Sequence, residues 1–144
     1  MKILYDTFVL IVALLVNHPN HCLALPKLKM AQRQEVHGYM STHTLAELYS
    51  VMTRLPEPLR VSPDEALSAI ADLIKYIEAV PLQAKDYEVA IAQMAALKLS
   101  GGGVFDALIA RTAVKANVDC LLTLNPKDFI RLGEAIAALV QVPE

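Results

Sequence analysis

The segments of this sequence short enough to be strands are apolar at successive positions, not at alternate ones. Ile3-Leu4-Tyr5 follows Lys2 near the amino terminus, and Cys120-Leu121-Leu122-Thr123-Leu124 lies within the stretch from Val118 to Leu124. A strand with one face in water alternates polar and apolar residues, so an unbroken apolar strand has both faces covered. Segments with helical spacing separate these strands, and strands that alternate with helices build a parallel sheet between helical layers. The expected fold class is therefore α/β, a three-layer α/β/α sandwich around a central, mostly parallel sheet. A chain of 144 residues suits one domain, 1–144, with a core large enough to need no disulfide. No internal repeat, low-complexity tract or domain-sized linker divides it.

Along the chain, a first strand over Lys2–Tyr5 ends at Asp6-Thr7, and nine apolar residues, Phe8 to Val16, suit a buried helix. A second helix is expected over His21–Gln34, with Leu25, Leu28 and Cys22 on one face and Pro26 weakening its first turn. His37–Met40 reads as a second strand. Thr44 and Glu47 fit a capping box, Thr at the cap and Glu three residues later, opening a helix that stops before Pro56. Ser62-Pro63-Asp64-Glu65 repeats that signature with proline at the first helical position. Behind it Ala66, Ile70, Leu73, Ile74 and Ile77 keep helical spacing, and an extended stretch surrounds Ala79-Val80. Ala84–Leu99 is a further helix, stopped by Gly101-Gly102-Gly103. Phe105–Ala116 is helical and ends at Asn117, Asn125-Pro126 forms a turn, and Ala135–Val142 is expected as the last strand.

The 13 Lys+Arg against 15 Asp+Glu give a formal charge of −2. Such a chain lacks the bulk field of a protein that coats nucleic acid, so any nucleic-acid chemistry belongs to a localised site. An apolar fraction of 55% with 19% charged residues excludes a disordered chain and points to buried partner surface. Cys22 and Cys120 are too few for a disulfide framework and too far apart for a zinc knuckle, and they are expected as buried thiols of a cytoplasmic protein. The Phe8–Val16 run has the length of a signal-peptide core, and Cys22-Leu23-Ala24 loosely resembles a cleavage site. Against that, only Lys2 is basic before the run, Asp6 cancels it, and the polar segment Asn17-His18-Pro19-Asn20-His21 intervenes. The run is also well short of the roughly 20 residues of a membrane span.

In open α/β sheets, ligands gather beyond the carboxyl ends of the strands. Asp6 directly follows the first strand, although an aspartate there also caps a helix. Glu47 occupies the return position of the Thr44 capping box. Asp106 lies near the start of the otherwise apolar helix Val104–Ala110, where the helix dipole favours an acid. Asn125 and Asp128 follow the strand through Leu124, where Asn-Pro alone would make a turn. Each residue has a purely local explanation, but together they place several acids in apolar surroundings near strand ends. Converging carboxylates repel one another and persist only if protonated or neutralised by cations. Oxygen ligands without His or Cys select Mg²⁺ or Mn²⁺ over zinc, and such ions activate water and stabilise the leaving oxygen of a phosphodiester. Thr7 and Thr123 are placed to hydrogen-bond the carboxylates. His18 and His21 read as a solvated turn, and His43 as a helix-entry residue within reach of a substrate. Gly101-Gly102-Gly103 lacks the spacing of a phosphate-binding loop and reads as a flexible helix stop. Arg111, Lys127 and Arg131 are candidate phosphate contacts or simply a solvated face.

Four blocks carry a resemblance over nearly the whole chain: Ile3-Leu4-Tyr5-Asp6-Thr7-Phe8-Val9-Leu10, Ser41-Thr42-His43-Thr44-Leu45-Ala46-Glu47-Leu48-Tyr49-Ser50, Gly103-Val104-Phe105-Asp106-Ala107-Leu108-Ile109-Ala110 and Leu122-Thr123-Leu124-Asn125-Pro126-Lys127-Asp128-Phe129. In that order they resemble the PIN-domain family, and within it the VapC-type toxins of bacterial toxin–antitoxin pairs. The resemblance implies a ribonuclease that hydrolyses RNA phosphodiester bonds, with Asp6, Glu47 and Asp106 holding Mg²⁺, or Mn²⁺ in its place. It implies a homodimer restrained by a small antitoxin that occupies or distorts the active-site groove. The family often places another acid in the fourth block; here Asp128 and Asn125 compete for that role, and Asn125 brings a carbonyl oxygen without charge. Two other readings keep the fold: an RNA-processing nuclease outside any toxin–antitoxin pair, and a silent module that binds RNA or protein without cleaving. Without Asp6, Glu47, Asp106 and Asp128 the remaining charge is 13 against 11, or +2, so a net acidic total no longer weighs against RNA once cations neutralise those four.

Overall fold

Ile3 and Tyr5 point into one hydrophobic core and Leu4 into another, while Cys120 and Leu122 join the first and Leu121 the second. Consecutive apolar residues in a strand feed opposite faces of the pleat, which is why neither strand alternates. In the computed structural model, which describes residues 1–144, five strands form one sheet. They are β1 (Lys2–Tyr5), β2 (His37–Ser41), β3 (Ile77–Val80), β4 (Cys120–Leu122) and β5 (Val140–Gln141). Their order is β3-β2-β1-β4-β5 and every pair is parallel. Ile3 sits opposite Gly38 on one side and Cys120 on the other. Helices α1 (Thr7–Leu14), α2 (His21–Gln32), α3 (Thr42–Arg54) and α4 (Pro63–Leu73) contribute to the first core. Helices α5 (Ala84–Ala96), α6 (Gly103–Ala116), α7 (Pro126–Ile130) and α8 (Glu134–Ala137) contribute to the second. This is the three-layer α/β/α sandwich the strand pattern implies.

The strand order places one feature above the others. The chain runs outward from β1 through β2 to β3, then returns to the opposite side of β1 for β4 and β5. The order therefore reverses between β1 and β4, and a crevice opens there beyond the carboxyl ends of the strands. Asp6 and Thr123 stand at the two sides of that crevice.

Several expectations are corrected. Helix α3 begins at Thr42, not at Thr44, and its cap is Ser41, whose hydroxyl accepts from the His43 N–H at 3.2 Å. The helix leaves β2 without a loop, so the last strand residue, already extended, serves as the cap, and Thr44 is buried inside the first turn. Glu47 is thus free of the capping role assigned to it. The segment Ala135–Val142 is not one strand: α8 covers Glu134–Ala137, and only Val140–Gln141 pairs with β4. Alanine-rich sequence after Gly133 favours a helical turn over a strand. The strand predicted over Val118–Leu124 is hydrogen-bonded in register only at Cys120–Leu122. Ile77 opens β3 instead of extending α4. Helix α2 buries Ala24, Leu28 and Ala31 at i, i+4 and i+7, which turns Cys22 outward, so only Cys120 is a buried thiol. No helix is long and apolar enough to cross a membrane.

Candidate active site

At the carboxyl end of β1, Asp6 has extended backbone and caps α1, its Oδ1 accepting the Thr7 N–H at 2.8 Å. Its Oδ2 accepts from the Thr123 hydroxyl at 2.8 Å, across the crevice from the end of β4. The Thr123 hydroxyl in turn accepts from the Asn125 N–H at 3.0 Å. The local reading of Asp6 as a cap is correct, but a cap uses one oxygen, and the other is oriented by a residue 117 positions away.

Glu47 rides on α3 beside the seam by which Thr44, Leu48, Val51 and Met52 bury that helix. Its Oε1 accepts from the Thr7 hydroxyl at 3.0 Å and from His43 Nδ1 at 3.1 Å. Thr7 and Thr44 also share a hydrogen bond of 3.0 Å between their hydroxyls. Thr7 has one proton and directs it to Glu47, so Thr44 donates to Thr7. The predicted roles of Thr7 and Thr123 as carboxylate partners therefore hold, and Thr44 joins them at a position where the sequence suggests only a cap. His43 stacks on Phe105 with ring centroids 4.7 Å apart, which links α3 to α6.

Asp106 lies in the first turn of α6, half-buried, with no protein hydrogen-bond donor on its carboxylate. Burial pushes its pKa up to about 7, and the charges of Asp6, Asp128 and Glu47 push in the same direction while Arg131 opposes them. Asp6 is raised to about 6, mainly by burial, against the lowering effect of its hydrogen bonds to Thr123 and Thr7, with Glu47 and Asp128 again adding repulsion. The four acids predicted from the sequence thus lie within one another's fields at the switch point. They do not close on a single point: no three His, Cys, Asp or Glu side chains are grouped tightly enough to cage an ion by themselves.

For the fourth block, the structure separates the two rivals by what their side chains do. Asp128, in α7 and partly buried, acts on both Asp6 and Asp106. Asn125 is exposed, precedes α7 without capping it through its side chain, and braces Thr123 through its backbone N–H. Arg131 reaches the same region. Its guanidinium lies over Gly103, where a Cβ would come within 2.8 Å of Nη2, so the missing side chain admits the cation beside Asp106. Arg111, by contrast, is held to a carboxylate of the chain itself: its Nε donates to Asp86 at 3.0 Å.

That last contact belongs to a feature the sequence conceals. Asp86, buried at the start of α5, accepts from Arg111, from Lys115 Nζ at 2.8 Å and from the Gln83 N–H at 2.8 Å. Lys115, then the Gln83 amide and Arg111, hold its carboxyl well below the usual carboxylate range despite its burial. The pattern Gln83-Ala84-Lys85-Asp86 gives a capping signal, and nothing in it names partners 25 and 29 residues away. A cavity of about 580 Å³ lies at the other end of the sheet, among His37, Gly38 and Tyr39 of β2 and Ile77 and Glu78 of β3. None of the four acids lines it, and it opens at the amino ends of the strands, where parallel sheets do not place their ligands.

Comparison with known proteins agrees with this geometry. Residues 3–135 match the model of the PIN domain family. Ribonuclease VapC27 of Mycobacterium tuberculosis is 36% identical over 73 residues, 51% of this chain and 52% of that protein, so that match spans about half of either. Ribonuclease VapC40 of the same species is 32% identical over 116 residues, 81% of each chain. Among solved structures, VapBC2 from Rickettsia felis, bound to a DNA fragment from its promoter, superposes with a TM-score of 0.70 at 21% identity, covering 100% of both chains. The sarcin-ricin loop cleaving toxin VapC20 of M. tuberculosis gives a TM-score of 0.65 at 17% identity, over 83% of this chain and 86% of that one. VapBC-1 from nontypeable Haemophilus influenzae gives 0.66 at 21% identity, over 99% and 98%.

Proposed function

This chain belongs to the PIN-domain family, in its VapC group, and from that premise we propose that it is a metal-dependent endoribonuclease and the toxin of a toxin–antitoxin pair. The observation that carries the chemistry is the set of acids at the β1/β4 switch point, where Asp6 and Asp106 are pushed up to about 6 and about 7. Burial is the main cause and the neighbouring acids add to it, which leaves a site short of positive charge.

The donor set fits a hard divalent cation. It consists of carboxylate oxygens, with no thiolate, and the one imidazole beside it, His43, is turned to Glu47. Mg²⁺ retains several waters and needs only one or two carboxylates, so acids that do not converge on one point suit it better than they would suit Ca²⁺ or zinc. Asp6, Glu47 and Asp106 would hold Mg²⁺, or Mn²⁺ in its place, with Asp128 as the fourth acid and Asn125 as its rival. Bound there, the ion supplies charge neutralisation and an activated water for phosphodiester hydrolysis. The protein's own part is positional. Thr123 and the Thr7 amide fix both oxygens of Asp6, while Thr7 and His43 fix Oε1 of Glu47 and leave Oε2 without a protein donor. Arg131 offers a positive charge beside Asp106 for a substrate phosphate.

The names of the relatives support RNA as the substrate class and a cognate antitoxin as the partner. Exposed apolar side chains such as Val16, Leu67, Ile74, Ile91 and Val114 supply surface for that partner and for a homodimer. A cytoplasmic location follows from the same reading. Expression of the chain alone is expected to arrest growth, and Asp6→Asn to abolish the arrest along with Mg²⁺-dependent RNA cleavage in vitro. Arrest that persists in Asp6→Asn refutes the nuclease-toxin reading. Unchanged cleavage by Glu47→Gln, which keeps the shape and removes the charge, refutes Glu47 as a ligand.

A further inference from the structure

Phe105 is the residue immediately before Asp106, and it is 44% exposed. Ala107 to Ala110, further along α6, are all buried, whereas Phe105 stays outside the core on the side of α6 that meets His43 of α3. It does not stand alone there. His43 lies against it with ring centroids 4.7 Å apart and planes inclined by 23°, a parallel stack. The His43 ring is itself fixed, because Nδ1 donates to Glu47 Oε1 at 3.1 Å and its side chain is only 20% exposed. The phenyl is therefore one ring removed from Glu47 and one residue removed from Asp106, with one side against an anchored imidazole. The chain leading to it, Gly101-Gly102, has nothing within 4 Å of where a Cβ would stand, so the approach along that side is open.

A rigid, half-exposed aromatic ring has a specific use beside a phosphodiester site. Unpaired bases stack on aromatic faces, and this contact tolerates any base because every base presents a π-face. Paired bases are already stacked on their neighbours and have no face to offer. We propose that the Phe105 ring, backed by His43, is the stacking platform for an unpaired base next to the scissile phosphate. The inference rests on the ribonuclease reading and deepens it. The ring binds the base, the acids and Arg131 attend the adjoining phosphate, and His43 acts as a positioning residue, tying the orientation of the platform to that of Glu47. Neither ring takes part in bond making.

The test uses the intact protein with a short single-stranded RNA that it cleaves, the same RNA with an abasic nucleotide next to the cut, and the same segment closed in a duplex. Phe105→Leu is expected to raise KM about tenfold with kcat nearly unchanged, and Phe105→Tyr to restore KM, because a stacked base contributes on that order. The abasic substitution is expected to raise KM for the wild-type protein by a similar factor and to add nothing in Phe105→Leu, and the duplex is expected to be resistant. A 2-aminopurine at that position gives a readout independent of cleavage: its fluorescence is quenched on binding the wild type and not on binding Phe105→Leu. The platform is refuted if Phe105→Leu keeps the wild-type KM, if it loses kcat instead, or if it weakens only capture of the antitoxin, which would make the ring a protein-docking residue. If the wild type cleaves no RNA with Mg²⁺ or Mn²⁺, the ribonuclease reading falls first. Cleavage by the wild type with an indifferent Phe105→Leu sinks the platform alone.

Discussion

Asp6 and Asp86 are the same residue type, both buried at the start of a helix, and they titrate in opposite directions. Asp86 is 4% exposed and has two cations on its carboxylate, which hold its pKa far down. Asp6 is 5% exposed and has only neutral donors, with Glu47 and Asp128 nearby, and its pKa rises to about 6. Burial alone does not mark a functional acid. The difference is whether the fold supplies the countercharge: at Asp86 it does, and the acid pins α5 to α6. At Asp6 it does not, so relief of that charge is left to a proton or, as proposed, to a cation.

The widest separation between the two regions lies in activity. Asp106→Asn or Asp6→Asn is expected to lower Mg²⁺-dependent cleavage by at least about a hundredfold, whereas Asp86→Asn retains turnover in whatever fraction stays folded, as measured on the purified variants. Stability measurements reverse the order. Asp86→Asn leaves Arg111 and Lys115 without their shared carboxylate and is expected to lower Tm, while Asp6→Asn, which removes a poorly countered buried charge, is expected to keep or raise Tm at neutral pH in the absence of metal. A fall in Tm for Asp6→Asn as large as for Asp86→Asn would break the comparison.

The pH dependence sharpens it further. A carboxyl with a raised folded pKa binds its proton more tightly in the folded state, so stability declines as pH climbs from the unfolded value toward the folded one. For Asp6 and Asp106 that decline runs from the ordinary aspartate value of 3.8 up to about 6 and about 7. Asp86 does the opposite: its contribution is complete above the unfolded pKa and is lost only as acid reaches the depressed folded value. Mg²⁺ is therefore expected to raise Tm more at about pH 8, where both site acids are ionised, than at about pH 5, where protons compete for them. Equal shifts at the two pH values, by calorimetry, would argue against these acids as the ligands. The smallest effect expected is that of Thr123→Val, which removes the donor to Asp6 Oδ2; cleavage falls by about tenfold while the fold is retained.

How much of this was legible in the sequence follows from the range of each interaction. The β1–Asp6–α1 junction and the Phe105–Ala116 helix are dictated by neighbours in sequence, and both lie where the pattern puts them. The grouping of Asp6, Glu47, Asp106 and Asp128 was accessible through the order of four blocks along the chain, not through any one of them. Thr44 was misread because a Thr-x-x-Glu pattern looks the same whether Thr caps the helix or, with Ser41 capping, points from its first turn into the core. Ala135–Val142 was misread because a short apolar run has no periodicity to tell a strand from a helical turn, and the alanine preference for helix was overlooked. No signal in the sequence joins Asp86 to Arg111 and Lys115, since their meeting depends on how α5 lies across α6.

The hydroxyls of Thr7, Thr44 and Thr123 have a consequence for when the site is made ready. They satisfy the carboxylates as hydrogen-bond acceptors without neutralising them as charges, and no buried side-chain polar atom is left unpartnered. The oxygens of Asp6 and one oxygen of Glu47 are therefore already aimed in the free protein. The entropy of ordering them is lost when the chain folds and not when a cation arrives. If the proposed ion binds there, its occupancy tracks the free ion concentration without any rearrangement of the chain, leaving restraint to whatever covers the crevice.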